Sequence, residues 1–206
     1  MGSRVKALIL GGEDLNSSLA KEIVSASEQG VEIYNEYGPT EATVGCMIQR
    51  FNPTDTVLSV PIGQPAASSE IYLLDEQMNL VPEGGVGEIF IGGPGLARGY
   101  LNRPELSAER FVENPFVEKS SIESDSVEDQ TVEPYRTKLY RTGDLGRWLP
   151  SGVLAYLGRR ERQVKVRGHR IELGEIEAMV AAHPAVAASA VTLVQPTLPV
   201  QPVSLS

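Results

Sequence analysis

Val5-Lys6-Ala7-Leu8-Ile9-Leu10-Gly11-Gly12 is a short apolar run closed by two glycines, the pattern of a buried strand that ends at a turn. Asn16, Ser17 or Ser18 then offers a helix cap. Leu19, Ile23 and Ala26 follow at helical spacing, and Gly30 stands where a C-terminal glycine belongs. Val31–Tyr34 returns to an extended pattern. Strand, helix and strand with short links predict a parallel strand pair, the end of an α/β unit.

From about Phe51 the texture changes. Short β-like runs appear at Ile71–Leu74, Glu88–Ile91, Leu139–Arg141 and Val153–Leu157. Turn chemistry separates them: Pro82-Glu83-Gly84-Gly85, Gly92-Gly93-Pro94-Gly95 and Pro150-Ser151-Gly152. Such spacing predicts a small barrel or curled sheet, with one short helix around Glu105–Phe111. Glu118–Glu133, acidic and without periodicity, reads as a surface loop. Past Gly158, Gln163–Val166 and His169–Ile171 flank Arg167-Gly168 as a hairpin. A helix is expected from about Glu172, with Leu173, Ile176 and Val180 on one face, and a last strand at Ala188–Val194. The fold class is thus α+β. The expected divisions are 1–53 (end of an α/β subdomain), 54–158 (distorted β-barrel), 159–194 (part of a smaller α+β subdomain) and 195–206 (Pro-rich linker).

Composition narrows the function. The 206 residues are 41% hydrophobic, enough for a packed core and too apolar for a disordered chain. Basic residues number 18 against 27 acidic ones, a net charge of −9 that argues against binding a nucleic-acid backbone. No apolar run approaches the roughly 20 residues of a membrane span. Cys46 is the single cysteine and has no internal disulfide partner, which fits a reducing cytoplasm.

Asn35-Glu36-Tyr37-Gly38-Pro39-Thr40-Glu41 follows the second strand, where α/β sheets place ligands. A tyrosine face suits a nucleobase. A threonine hydroxyl and a carboxylate beside a tight turn suit a phosphate and its magnesium. The same residues equally read as a Gly-Pro turn with incidental polar groups. Tyr140-Arg141-Thr142-Gly143-Asp144 offers a carboxylate for ribose hydroxyls, or a turn between strands. Gly158–Arg170, rich in arginine, suits a phosphate or is a solvated strand face.

Together these stretches resemble the adenylation domains of nonribosomal peptide synthetases. Tyr34–Glu41 is similar to the fifth core motif and Gly87–Glu105 to the sixth. Tyr140–Asp144 with Arg147-Trp148-Leu149 is similar to the seventh, and Gly158–Glu175 to the eighth. The wider acyl-CoA ligase and luciferase superfamily is the nearest confusable group. The resemblance implies a ligase that uses ATP and Mg²⁺ to form an acyl-adenylate and passes the acyl group to phosphopantetheine on a peptidyl carrier domain. It places Asn35, Tyr37 and Gly38 at the nucleotide, Thr40 at the phosphates and Glu41 on the metal. Asp144 takes the ribose, with Tyr156 and Arg159 nearby. Thr40, Glu41 and Lys165 become the candidate catalytic residues. Glu161 falls at the hinge, where the family usually has Asp, and Arg167 and Gly168 sit in the hairpin that serves thioester formation. Glu36, Val44 and Gly45 match positions of the acyl pocket, joined by Leu8 and Leu10. Glu36 suggests a polar acyl side chain, or else faces solvent or pairs with an arginine.

The phosphate loop of the family's earlier motifs and the lysine of its last motif have no counterpart here. The resemblance therefore implies a middle-to-late piece of the domain, inactive by itself, with further parts of the domain as partners. An MbtH-like protein, an inserted auxiliary domain and self-association through uncovered surface are further expected partners. A non-catalytic docking module, or part of an acyl-CoA ligase, is the alternative.

Overall fold

A computed structural model describes residues 5–27, 30–117 and 137–160, and beyond them 163–166, 169–173 and scattered positions from 176 to 192. The chain divides into two compact units, Met1–Arg160 and Glu161–Ser206.

In the first unit, strand β1 (Ala7–Gly11), helix α1 (Ser17–Ala26) and strand β2 (Glu32–Tyr37) form the expected sequence, and β1 and β2 pair in parallel. Asn16 caps α1 by accepting the Ser18 N–H at 2.8 Å. Strands β3 (Met47–Arg50) and β4 (Gln64–Pro65) complete a sheet of order β1-β2-β3-β4, antiparallel after the first pair. α1 covers one face: Ala20, Ile33, Phe51, Val60 and Leu15 are buried together, with Leu10, Ile23 and Val24 against them. β1 is the sheet's edge and only half-covered. Val5 and Ile9 are 57% and 62% exposed, so the apolar run is not the fully buried strand its composition suggests.

The second sheet holds β5 (Glu70–Leu74), β6 (Gly87–Gly92), β7 (Phe111–Glu113), β8 (Lys138–Trp148) and β9 (Leu154–Arg159). Its order is β5-β6-β8-β7, with β9 also on β8. One long strand serves several partners: β7 lies along the first part of β8 and β9 along its second, while β6 runs beside both. Helix α2 (Pro104–Arg110) starts with its proline in the first turn, and Phe111, expected at its end, opens β7 instead.

Met47, Ile62, Leu73, Ile89, Ile91, Leu154, Ala42 and Cys46 form one buried cluster with contributions from both sheets, and Trp148 packs partly buried against it. Leu74, Phe90 and Leu139 make a smaller cluster. β6, buried along its whole length, is the centre of this unit.

The second unit contains β10 (Gln163–Val166) and β11 (His169–Glu172), antiparallel with Val166 opposite His169, so the hairpin has a two-residue connection. Leu173, Ile176, Met179 and Val180 are helical. Residues 189–192, within the expected last strand, are not in a strand. The acidic stretch Glu118–Glu133 lies outside the described residues. Among the described residues no helix is long and apolar enough to cross a membrane.

Candidate functional site

The end of β2 and the middle of β8 converge on Asp144. Asp144 is 4% exposed. Its Oδ2 accepts the Tyr37 hydroxyl at 2.6 Å, and its Oδ1 forms an ion pair with Arg159 Nε at 2.9 Å. The Asp144 N–H donates to Thr142 Oγ1 at 2.9 Å, and that hydroxyl donates to the Ile89 carbonyl at 2.7 Å. Tyr156 tilts against Tyr37 with ring centroids 6.2 Å apart. Burial, then the Asp144 charge, raises the Tyr37 phenol well above its ordinary value. The same causes push Tyr156 up to about 12. Both tyrosines are therefore neutral donors at any physiological pH.

The stretch after β2 is a built loop. A Cβ on Gly38 would run into the Val44 carbonyl, so only glycine fits. Pro39 leads into a 3₁₀ turn over Thr40–Ala42, and its carbonyl accepts the N–H groups of Ala42 at 3.0 Å and Val44 at 3.1 Å. Thr43 and Val44 then take left-handed conformations with φ of 59° and 68°. That is strained for a β-branched residue and typical of a loop held by its surroundings. Thr43 Oγ1 donates to the Gly95 carbonyl at 2.5 Å, and the Ala97 N–H donates to the Glu41 carbonyl at 2.8 Å. The glycine-rich segment after β6 thus braces the loop.

Glu41 is buried, and Tyr100 donates its hydroxyl to Glu41 Oε1 at 2.6 Å. Tyr100 is set in turn by Ser107 of α2, whose hydroxyl accepts the Tyr100 N–H at 2.8 Å. Burial and the Glu41 hydrogen bond raise the Tyr100 phenol far above its ordinary value. Thr40 beside it is exposed. The result is a neutral hydroxyl holding one carboxylate in a braced turn, and a second carboxylate held between a phenol and a guanidinium.

Known proteins share this sequence and this fold. The model of the AMP-binding enzyme family matches residues 1–101. Tyrocidine synthase 3 of Brevibacillus parabrevis is 48% identical over 185 residues, 89% of this chain and 3% of that protein. Over residues 1–101 the chain is thus similar to AMP-binding enzymes. The solved structure of PA1221, a nonribosomal peptide synthetase protein containing adenylation and PCP domains, superposes with a TM-score of 0.72 at 29% identity, over 87% of this chain and 33% of that one. The Vibrio cholerae adenylation domain AlmE, solved with glycyl-adenosine-5'-phosphate, gives a TM-score of 0.67 at 31% identity, over 85% of this chain and 30% of that one. The chain thus spans about a third of the adenylation proteins it superposes on, and its α+β architecture is a part of their fold.

Within this adenylation fold, Asn35 is tied into the protein, and Leu8 and Leu10 take a different face of the sheet from the one expected. Asn35 is 3% exposed, and its Nδ2 donates to the carbonyls of Val60 at 2.8 Å and Pro61 at 3.0 Å. Its amide protons tie the next segment to β2. Leu8 and Leu10 do not share a pocket with Glu36. In the parallel register Leu8 lies beside Ile33 and Leu10 beside Asn35, on the face covered by α1. Glu36 points to the opposite face, because successive strand residues alternate. The residues of β1 on that face are Ile9 and Gly11. Gly11 pairs with Glu36, and a Cβ there would sit 2.7 Å from the Glu36 carbonyl oxygen. Gly45 lies under the Glu36 carboxylate, leaving no room for a side chain, and Val44 is 56% exposed. The strand alternation carried this signal, and a shift of one residue concealed it. Tyr100, Ser107 and Glu88 were not singled out from sequence either, since their partners lie far along the chain or across a loop. Glu161, Arg167 and Gly168 lie outside the described residues, as does the side chain of Lys165.

Proposed function

We propose that this chain forms part of an ATP-dependent adenylation domain. The domain activates an amino acid, or a related acid, as its acyl-adenylate for loading onto a carrier domain. The observation that carries the reading is the Asp144 carboxylate, buried between Tyr37 and Arg159 where the two sheets meet. A fixed carboxylate accepts the hydroxyls of a ribose in the manner of other nucleotide sites. Tyr37 and Tyr156 offer flat faces for adenine beside it. Arg159 supplies positive charge toward a nucleotide phosphate.

Thr40 and Glu41 are the residues for the phosphate end. Among the described residues no cluster of three or more His, Cys, Asp or Glu could cage a metal. One carboxylate with a hydroxyl beside it suits Mg²⁺, which keeps waters and takes substrate phosphate oxygens as its other ligands. Bound there, Mg²⁺ would offset the charge that builds on the phosphates. In the reaction the acid's carboxylate oxygen attacks the α-phosphorus, and the bond to the bridging oxygen breaks as pyrophosphate leaves. A carrier thiol then takes the acyl group and releases AMP. Ile9, Gly11, Glu36, Val44 and Gly45 form our revised set for the acyl pocket, with Glu36 favouring a polar or cationic side chain. Lys165 and the Arg167-Gly168 turn belong to the thioester step, and Glu161 to the pivot between the two steps.

A phosphopantetheine-bearing carrier is the partner this reading requires, and PA1221 contains a PCP domain beside its adenylation domain. An MbtH-like protein, an inserted auxiliary domain and a second copy docked along the open β1 sheet edge are further proposals. Cytoplasmic residence remains the expectation from the lone thiol. The test is acid-dependent ATP–pyrophosphate exchange by the full-length protein that carries this chain, against a panel of amino, hydroxy and keto acids. Exchange with one or a few polar acids is the expected result. No exchange with any acid, from protein that binds ATP, would contradict the ligase reading in favour of a docking module.

A further inference from the structure

Glu88 is a buried acid in an otherwise apolar strand. It is 3% exposed and precedes Ile89, Phe90 and Ile91, each at most 1% exposed. A charge in such a place is expensive to desolvate, and an apolar residue of similar size often serves stability as well or better. Its neighbours show what it holds. Against β6 the register of β8 jumps: Glu88 is opposite Leu145, yet Phe90 is opposite Arg141. Two steps on β6 face four on β8, so Thr142, Gly143 and Asp144 bulge out of the ladder. Gly143 bends there with φ of 75°.

The Glu88 carboxylate fills this bulge. Oε1 accepts the Gly143 N–H at 3.1 Å and Arg141 Nε at 3.0 Å. Oε2 accepts Arg141 Nη2 at 3.3 Å and Arg160 Nη1 at 3.2 Å. Arg160 also reaches the exposed Glu76, and its backbone N–H donates to the Gly143 carbonyl at 2.8 Å. Gly143 precedes Asp144 and Arg160 follows Arg159, and Asp144 and Arg159 face each other across β8 and β9.

We propose that Glu88 is a positioning residue for the nucleotide site, setting the Asp144–Arg159 pair from behind through their chain neighbours Gly143 and Arg160. This rests on the reading of Asp144 as the ribose acceptor. Glu88 does not touch the ligand. Its carboxylate fixes where the bulge stands, and the bulge fixes where Asp144 points. Arg141 and Arg160 neutralise the buried charge, and Glu88 in turn anchors Arg160, the last residue of the first unit.

The experiment compares ATP with 2′,3′-dideoxy-ATP in the exchange reaction of the full-length protein. The variants are Glu88→Gln and Asp144→Asn. Glutamine keeps the size and an acceptor for Gly143 but loses the charge that Arg160 answers. The expected result for Glu88→Gln is a KM for ATP raised roughly tenfold, the equivalent of a displaced hydrogen bond. Its KM for the acid and its KM for the dideoxy nucleotide should stay within about twofold of the parent, since no hydroxyl is left to misplace. Equal losses with both nucleotides, or no loss with either, overturn the proposal and leave Glu88 a structural ion. If Asp144→Asn discriminates between the nucleotides and Glu88→Gln does not, the proposal alone falls. If Asp144→Asn does not discriminate, the ribose reading falls and takes the proposal with it. Should Glu88→Gln fail to fold, Arg160→Gln, which works from the half-exposed end of the network, must show the same hydroxyl-dependent rise or the proposal is overturned.

Discussion

Tyr37 donates its phenolic hydrogen to Asp144 Oδ2 at 2.6 Å, joining residues 107 positions apart. The bond links the end of the first sheet to the bulged strand of the second, and Arg159 holds the other carboxylate oxygen. A hydrogen bond to an ionised, buried acceptor is among the stronger ones in proteins. It also leaves the carboxylate in one orientation before any ligand arrives, which lowers the ordering entropy of binding.

Tyr37→Phe removes this donor and keeps the ring. We expect a loss of about 1.5–3 kcal/mol in stability, as for a hydrogen bond to a charged group. Denaturant midpoints of parent and variant check this. The KM for ATP should rise while the KM for the acid does not.

Tyr100→Phe leaves Glu41 without the hydroxyl that holds it. The carboxylate should then sample other rotamers, and the Mg²⁺ concentration for half-maximal exchange should rise severalfold. A magnesium titration at saturating ATP and acid reads this. Ser107→Ala should shift the curve in the same direction by less, because Ser107 acts on Tyr100 and not on Glu41.

Gly38→Ala places a methyl group against the Val44 carbonyl. The loop is already strained at Thr43 and Val44, so it has little room to yield. A destabilisation of at least ~2 kcal/mol is expected from this overpacking. Gly84, with φ of 73° and nothing near a would-be Cβ, is the control. Gly84→Ala should cost only about 1 kcal/mol, the backbone penalty alone. Thermal melts distinguish the two.

Burial pushes the Cys46 thiol from its ordinary 9.0 up to about 12. The folded state therefore keeps a proton that the unfolded chain releases. This contribution is whole below pH 9 and is lost as pH rises toward 12. Denaturant midpoints should fall across that window, and Cys46→Ala should flatten the fall near its start. Below it, the native thiol should resist Ellman's reagent at pH 8 and react fully once the protein is unfolded.

Much of the architecture was legible from local chemistry. The Asn16 cap, the spacing of Leu19, Ile23 and Ala26, and the two-residue gap between Val166 and His169 each name their element without distant help. β8 was not legible. Thr142-Gly143-Asp144 reads as a turn after a short strand, yet an 11-residue strand runs through it. The bulge is stabilised by Glu88 from β6, 55 positions from Gly143, so no local window contains the cause. Asn35, which the family resemblance puts at the nucleotide, gives both amide protons to the Val60 and Pro61 carbonyls, partners 25 and 26 positions away that no local window contains. Leu8 and Leu10 were displaced by strand alternation, which assigns Ile9 and Gly11 to the Glu36 face.

The role of Asp144 as the group that grips the nucleotide is tested most directly by the KM for ATP of Asp144→Asn in acid-dependent pyrophosphate exchange by the full-length protein. Asparagine keeps the shape and loses the charge. A rise of about 10- to 100-fold in that KM, with the KM for the acid unchanged, is the predicted result, matching a charged hydrogen-bond acceptor lost from the site. A KM for ATP equal to that of the parent protein, in a variant that melts at the parent's temperature, would contradict it.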